Sequence, residues 1–291
     1  MSVSLCWVLC RWLHFMALLT LTGASAFTVL LAPCQFRTHM AVRLTPLLTS
    51  GAIASLLTAV LLLVIQTGMM GNGWQDVSNV EVWRLVLQTR FGVAWQWQLI
   101  ASVVGVAALA LKGRGRQQLL LISGIGQLAG LAFTGHAAML DGALGFLQRS
   151  NHAVHLISAA FWAGGLLPVL LLMRDMRQPA RNDAIYTLMR FSRYGHLAVA
   201  LVLLSGVVNA WLLLGWPPGH FQLYSRLLLI KIALVGLMCG IALFNRYWLV
   251  PRFQHSGEQG QRRFIQATLA ELLLAAIVLL LVSLFATVEP A

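Results

Sequence analysis

The sequence predicts an all-α fold, a polytopic membrane helical bundle with eight transmembrane helices. Three observations predict it. Eight apolar stretches each come close to the roughly 20 residues that cross a hydrocarbon core. Of the 291 residues, 59% are hydrophobic and only 10% charged, and mean hydropathy is +0.80, outside the range of soluble globular domains. The 20 Lys and Arg are not spread evenly but alternate from loop to loop.

The first span covers 5–31. Ala24-Ser25-Ala26 resembles a secretory cleavage site, yet no basic residue precedes the apolar run, Arg11 interrupts it and apolar character continues to Leu31, so a retained span is expected. The second span covers 44–66. The connection after it holds a flexible turn from Gly68 to Trp74, then Ser78 three residues before Glu81, a capping-box pattern. Val80, Trp83 and Leu87 share one helical face, which predicts a short interfacial helix. Spans at 92–111 and 117–135 flank a basic cluster, and the remaining spans fall at 152–173, 195–214, 227–248 and 267–288. Trp7, Trp74, Trp83, Trp95, Trp97, Trp211 and Trp216 lie near outer span ends, as an aromatic belt would. No Pro/Ser linker or charge run divides the chain, which predicts one integral membrane domain over 1–291. His14 and Gly23 in the first span are spaced like His155 and Gly164 in the fifth, and each pair is followed by a proline, Pro33 or Pro168. Eight spans with this echo fit a four-plus-four parallel repeat.

Arg37, Arg43, Lys112, Arg114, Arg116, Arg174, Arg177, Arg181, Arg190, Arg193, Arg246, Arg252, Arg262 and Arg263 follow odd-numbered spans. The opposite loops carry Arg84, Arg90, Arg149 and Arg226. Fourteen against four predicts both termini outside and a basic face toward the cytoplasm and its anionic lipids. The net charge of +12 therefore belongs to membrane topology, and no nucleic-acid partner is expected, because no soluble basic module exists. There is also no GxxxxGK[ST] loop or phosphorylation segment, which excludes ATP-driven pumping.

Histidines carry the chemistry. His136 closes the fourth span, and His152 and His155 open the fifth at i, i+3 on one helical face. His14 lies beneath this group in the first span. Four imidazoles in one membrane half point to a site, because polar groups there are costly, and imidazole binds copper, zinc, iron or nickel. Met70 and Met139 are further candidate ligands, and thioether with imidazole favours Cu(I). Cys6 and Cys10 share a face with His14 at i, i+4 spacing and form a soft-metal-compatible stripe, with packing as the alternative reading. Lys231 is placed to hold an anionic group near the site or to snorkel to headgroups. At the cytoplasmic side, Glu271 is expected to pair with Arg246 or His196, as a structural lock or as a gate. No catalytic residue is expected.

Several segments in order resemble the copper resistance D (CopD) family: Arg11-Trp12-Leu13-His14-Phe15, Met70-Gly71-Asn72-Gly73-Trp74, Asn151-His152-Ala153-Val154-His155, Gly164-Gly165-Leu166-Leu167-Pro168, Met189-Arg190-Phe191-Ser192 and Asn245-Arg246-Tyr247. The resemblance covers nearly the whole chain. It implies a bacterial inner-membrane protein of copper homeostasis, working with a small periplasmic copper-binding protein of the CopC type. The reading that follows is copper capture at the periplasmic face and movement inward without ATP, with His136, His152, His155 and His14 as ligands and both termini periplasmic. A b-type haem cytochrome with two axial histidines, such as His14 and His155, is the alternative. A membrane docking platform without transport is a third.

Overall fold

The computed structural model describes residues 2–135, 140–174, 181–214, 223–285 and 287. Those residues form α-helices and short 3-10 or π turns, with no strand. Helix α1 (Val3–Ala26) starts at Ser2, whose side chain accepts from the Leu5 N–H, and continues through a π-helical turn at Phe27–Leu31. A short α2 (Arg37–Arg43) leads into α3 (Thr45–Met70), α4 (Val80–Gln88), α5 (Arg90–Ala108), α6 (Gly113–Leu131), α7 (Gly142–Arg174), α8 (Arg181–Leu214) and α9 (Leu223–Phe244). A second π-helical turn, Asn245–Leu249, precedes α10 (Phe253–Phe285).

Helix α1 is the hub, packed on α3, α6, α7 and α10. Leu18, Leu21 and Ala24 on it are fully shielded, whereas α8 and α9 turn Leu204, Val207, Ile232 and Leu237 outward. Such an apolar exterior suits lipid rather than water. Among the described residues, seven segments are long and apolar enough to cross a membrane: Val3–Leu31, Thr45–Met70, Arg90–Ala108, Gly142–Met173, Arg181–Leu213, Leu223–Arg252 and Gln259–Phe285. The fourth expected span, 117–135, falls on α6, which is not among the seven. That helix falls short in apolarity, since Arg114, Arg116, Gln117, Gln118 and Gln127 lie within its 19 residues.

Helices α1 and α7 cross at two glycines. A Cβ on Gly23 would stand 2.1 Å from the Gly164 carbonyl carbon, and one on Gly164 would stand 2.0 Å from the Leu19 oxygen. Both obstacles are backbone, so only glycine permits this approach. Pro168, inside α7, has no N–H to bond the Gly164 carbonyl one turn earlier, and that oxygen lies against Gly23.

Several sequence expectations are refined here. A short helix does follow the turn, as α4, but its cap is Asn79, whose side chain accepts from the Glu81 N–H at 3.0 Å, and not Ser78, which ends a 3-10 turn. Its packed face is Val82, Trp83, Val86 and Leu87, while Val80 is exposed. Two belt tryptophans, Trp7 and Trp95, are core residues; the Trp95 indole donates to the Ala59 carbonyl at 2.8 Å. Helix α7 begins at Gly142, ten residues before the expected start of the fifth span. His152 and His155 therefore sit about three to four turns inside the helix, at a depth similar to that of His14 in α1.

Candidate functional site

A cavity of about 430 Å³ opens between α1, α3, α5, α7, α8, α9 and α10. His14, His152, His155 and Lys231 all line it, as do Arg11, Met69, Trp95, Gln148, Asn209 and Tyr224. Four residues singled out by sequence are thus brought together by helices far apart in the chain.

On α7, the i, i+3 spacing stacks the two imidazoles, with ring centroids 6.3 Å apart and planes 8° from parallel. The His155 Nδ1 lies 3.0 Å from the Ser205 hydroxyl and 3.1 Å from the Val202 carbonyl. Ser205 gives its single proton to a carbonyl one turn earlier in α8, so Nδ1 of His155 donates. That tautomer leaves the Nε2 lone pair available as a metal ligand, and among the described residues Nε2 has no hydrogen-bond partner. The Asn151 amide donates to Asn209 Oδ1 and to the Ser205 carbonyl, both at 2.9 Å. Asn209 then faces His152 Nδ1 with its amide nitrogen at 3.3 Å. Neutral His152 accordingly carries its proton on Nε2, and metal binding there requires that proton to leave or to move.

His14 is held differently. Its Nδ1 lies 2.8 Å from Thr58 Oγ1, whose own proton goes to the Ala54 carbonyl at 2.6 Å. Its Nε2 lies 2.9 Å from the Gln98 amide nitrogen, so both ring nitrogens are occupied. The two histidines share a pattern nonetheless. Each meets a hydroxyl of the following long helix through Nδ1. In each case the residue four positions earlier, Cys10 or Asn151, donates to the backbone carbonyl of that hydroxyl residue.

The haem alternative meets this geometry directly. An axial pair must offer two Nε2 atoms from opposite faces of one ring system. His152 and His155 lie one turn apart on a single helix, and the Nε2 of His14 is taken by Gln98. A haem held by His14 and His155 would need Gln98 to give up the Nε2 of His14.

The remaining candidates separate. Met69 and Met70 are both exposed, and of the two Met69 lines the cavity while Met70 does not. Cys10 is buried and donates to the Thr58 carbonyl at 3.6 Å; neither it nor Cys6 lines the cavity. His136 and Met139 lie outside the described residues. Among the described residues, no group of three His, Cys, Asp or Glu side chains is arranged to hold a metal. Glu271 is not paired with Arg246 or His196: its partner is Asn245, whose amide donates to Oε1 at 2.7 Å. The π-helical turn puts Asn245 in the interior, sends Arg246 to the Ser192 hydroxyl, and leaves His196 on the surface beside the Ser192 carbonyl and Tyr247.

Sequence reading missed Gln98 as the partner of His14, Asn209 as the partner of His152, and Gln148 and Arg11 as cavity residues. Polar side chains within apolar spans were the available signal. Which helix each one faces was not.

No solved structure matches the chain. It is 41% identical over 284 residues to "Inner membrane protein YebZ" of Escherichia coli (strain K12), covering 98% of both chains. It is 35% identical over 261 residues to "Copper resistance protein D" of Pseudomonas syringae pv. tomato, covering 84% of each. "Copper transport protein CutJ" of Bacillus subtilis (strain 168) is 32% identical over 231 residues, which are 75% of this chain and 42% of that one. A family model described as "Copper resistance protein D-like, N-terminal domain" matches residues 1–146, and one described as "Copper resistance protein D" matches residues 185–285. The two matches between them take in both the α1 and the α8–α9 walls of the cavity, and on them the chain belongs to the copper resistance protein D family.

Proposed function

We propose that this chain is a multi-pass inner-membrane protein that binds copper in the α1–α7–α9 cavity from the periplasmic side and passes it inward without ATP. The observation that carries the reading is the convergence of His152, His155 and Met69 on one membrane-embedded cavity in a chain of this family. His155 supplies the ready nitrogen, His152 a second after a proton shift, and Met69 a soft thioether, a set suited to Cu(I). His136, which follows the cavity residue Gly135 in the chain, is the further candidate, and a periplasmic CopC-type protein is the proposed donor. His14 serves as a packed neighbour in this reading, because both its nitrogens are spent.

The test is the double variant His152→Ala/His155→Ala, purified in detergent and titrated with Cu(I) against a chromophoric chelator. Loss of the direct ligands is expected to weaken binding by more than about 100-fold while helicity and elution volume stay as in the wild type. Unchanged stoichiometry and affinity would remove the pair from the site.

A further inference from the structure

The cavity that gathers the two histidines of α7 also receives two cations, Arg11 from α1 and Lys231 from α9. Among the described residues, no aspartate or glutamate lines it. Lys231 has neither a hydrogen bond nor an ion pair among those residues, and Asp141 is engaged by Arg90 at the surface, 3.2 Å away. Arg11 rests its guanidinium over the Phe15 ring, 5.4 Å from the centroid. Two cations in a membrane-embedded space without a counter-charge are costly.

The position of Lys231 sharpens the point. Lys231 is the ninth residue of α9, as Gln98 is the ninth of α5. Gln98 closes Nε2 of His14, whereas Nε2 of His155 is left open to a cavity that holds an ammonium. Lys231 in its ammonium form repels a bare copper ion and attracts an anion. Gln148 adds a second sign of an absent ligand: it is buried, it lines the cavity, and its Oε1 has no hydrogen-bond partner. A side-chain amide in that place can turn its N–H groups toward an anion. A volume of about 430 Å³ also exceeds what one metal ion fills, since a water takes roughly 30 Å³.

We infer that the cavity takes copper together with a small coordinating anion, of the halide or carboxylate class, seated between Lys231 and Arg11 and bound to the metal. The inference rests on the copper reading above. The anion completes a coordination shell that the described protein ligands leave short, and it makes the bound copper neutral with respect to the two side chains.

The experiment titrates the full chain with Cu(I) at constant ionic strength in chloride, in acetate or in weakly coordinating methanesulfonate, each referenced to the free probe in the same buffer. Binding is expected to be on the order of tenfold tighter in chloride or acetate, the net gain once the anion's desolvation is set against its attraction to the nearby cation. Chloride alone producing the effect identifies a halide site, and acetate alone a carboxylate site. In Lys231→Met the anion dependence is expected to fall below about twofold, while binding in methanesulfonate improves. X-ray absorption of the copper-loaded wild type should show a chlorine scatterer in chloride and none in methanesulfonate. Equal affinity in all three anions with no chlorine scatterer would overturn the inference and leave the copper site standing. Absence of copper binding in every buffer would overturn both.

Discussion

His14 and His155 make the same kind of bond through Nδ1, to a hydroxyl whose proton is already committed to its own helix, and they differ in what meets Nε2. Gln98 gives His14 a complete set of partners in a nearly sealed position, 1% exposed. In the copper reading proposed above, His14 is therefore a packing neighbour of the site, and that role is measurable. His14→Ala leaves Gln98 with a second unpaired group beside its already unpartnered Oε1, and each buried unsatisfied group costs about 1–3 kcal/mol. The variant is expected to lower the thermal unfolding temperature in detergent while copper stoichiometry stays at the wild-type value. A stoichiometry that falls without a stability change would return His14 to the ligand set. The i, i+3 spacing announces His152 and His155 as a pair from sequence alone, because a helix places such residues on one face. Their partners lie 47 to 57 residues away on α8, and no local pattern reports which helix will be the neighbour. Met69 and Met70 show the same limit at its smallest: one residue is about 100° of helix rotation, enough to put Met69 on the cavity wall and leave Met70 off it.

At the level of elements, apolar runs located the helices but not their ends. A hydropathy pattern measures the hydrocarbon crossing, whereas the hydrogen-bonded helix continues into the interface for as long as its backbone groups find partners. Helix α7, with 33 residues, reaches about 50 Å, well beyond a hydrocarbon core of about 30 Å. The glycine echo between the first and fifth spans was legible as a spacing. Its meaning, a backbone contact between Gly23 and Gly164, became visible only with both helices in place. That crossing sets the relative depth of His14 and His155, each nine residues earlier on its helix. Gly164→Ala would drive a Cβ to 2.0 Å from the Leu19 oxygen, and backbone cannot yield as a flexible side chain can. A destabilisation of about 1–3 kcal/mol is expected, with weakened copper binding as α1 and α7 separate. Gly240→Ala is the control, since a Cβ there meets nothing within 4 Å, and unfolding curves and copper titrations of the two variants check the contrast. Equal behaviour of both variants would show that the crossing does not govern the site.

For the molecule as a whole, the number of crossings turns on α6. Its hydropathy is low, yet it packs on α1, α5 and α7, helices that are themselves long and apolar enough to span. Three of its polar side chains point inward, while Arg114 and Gln118 in its first turns are exposed: Ser123 donates to the Ala101 carbonyl at 2.7 Å, Gln127 donates to Ser123 at 3.0 Å, and Gln117 accepts from Thr28 at 3.3 Å. Side chains satisfied inside a bundle do not face lipid, so a composition average penalises α6 for residues the bilayer never meets. A short turn joins it to α5, and the two helices pack together, as antiparallel neighbours do. Counting α6 makes eight crossings and returns both termini to one side, whereas seven would separate them. With eight crossings, the fourteen-to-four distribution of Lys and Arg leads us to propose that this side is the periplasm. A reporter that fluoresces only in the cytoplasm is therefore expected to stay dark when fused after Ala291 or before Met1, and to light up when inserted between Lys112 and Arg116. A bright fusion at Ala291 with a dark one at Met1 would reduce the crossings to an odd number. Brightness at both ends would invert the bundle and open the histidine cavity toward the cytoplasm, turning a capture site into a release site.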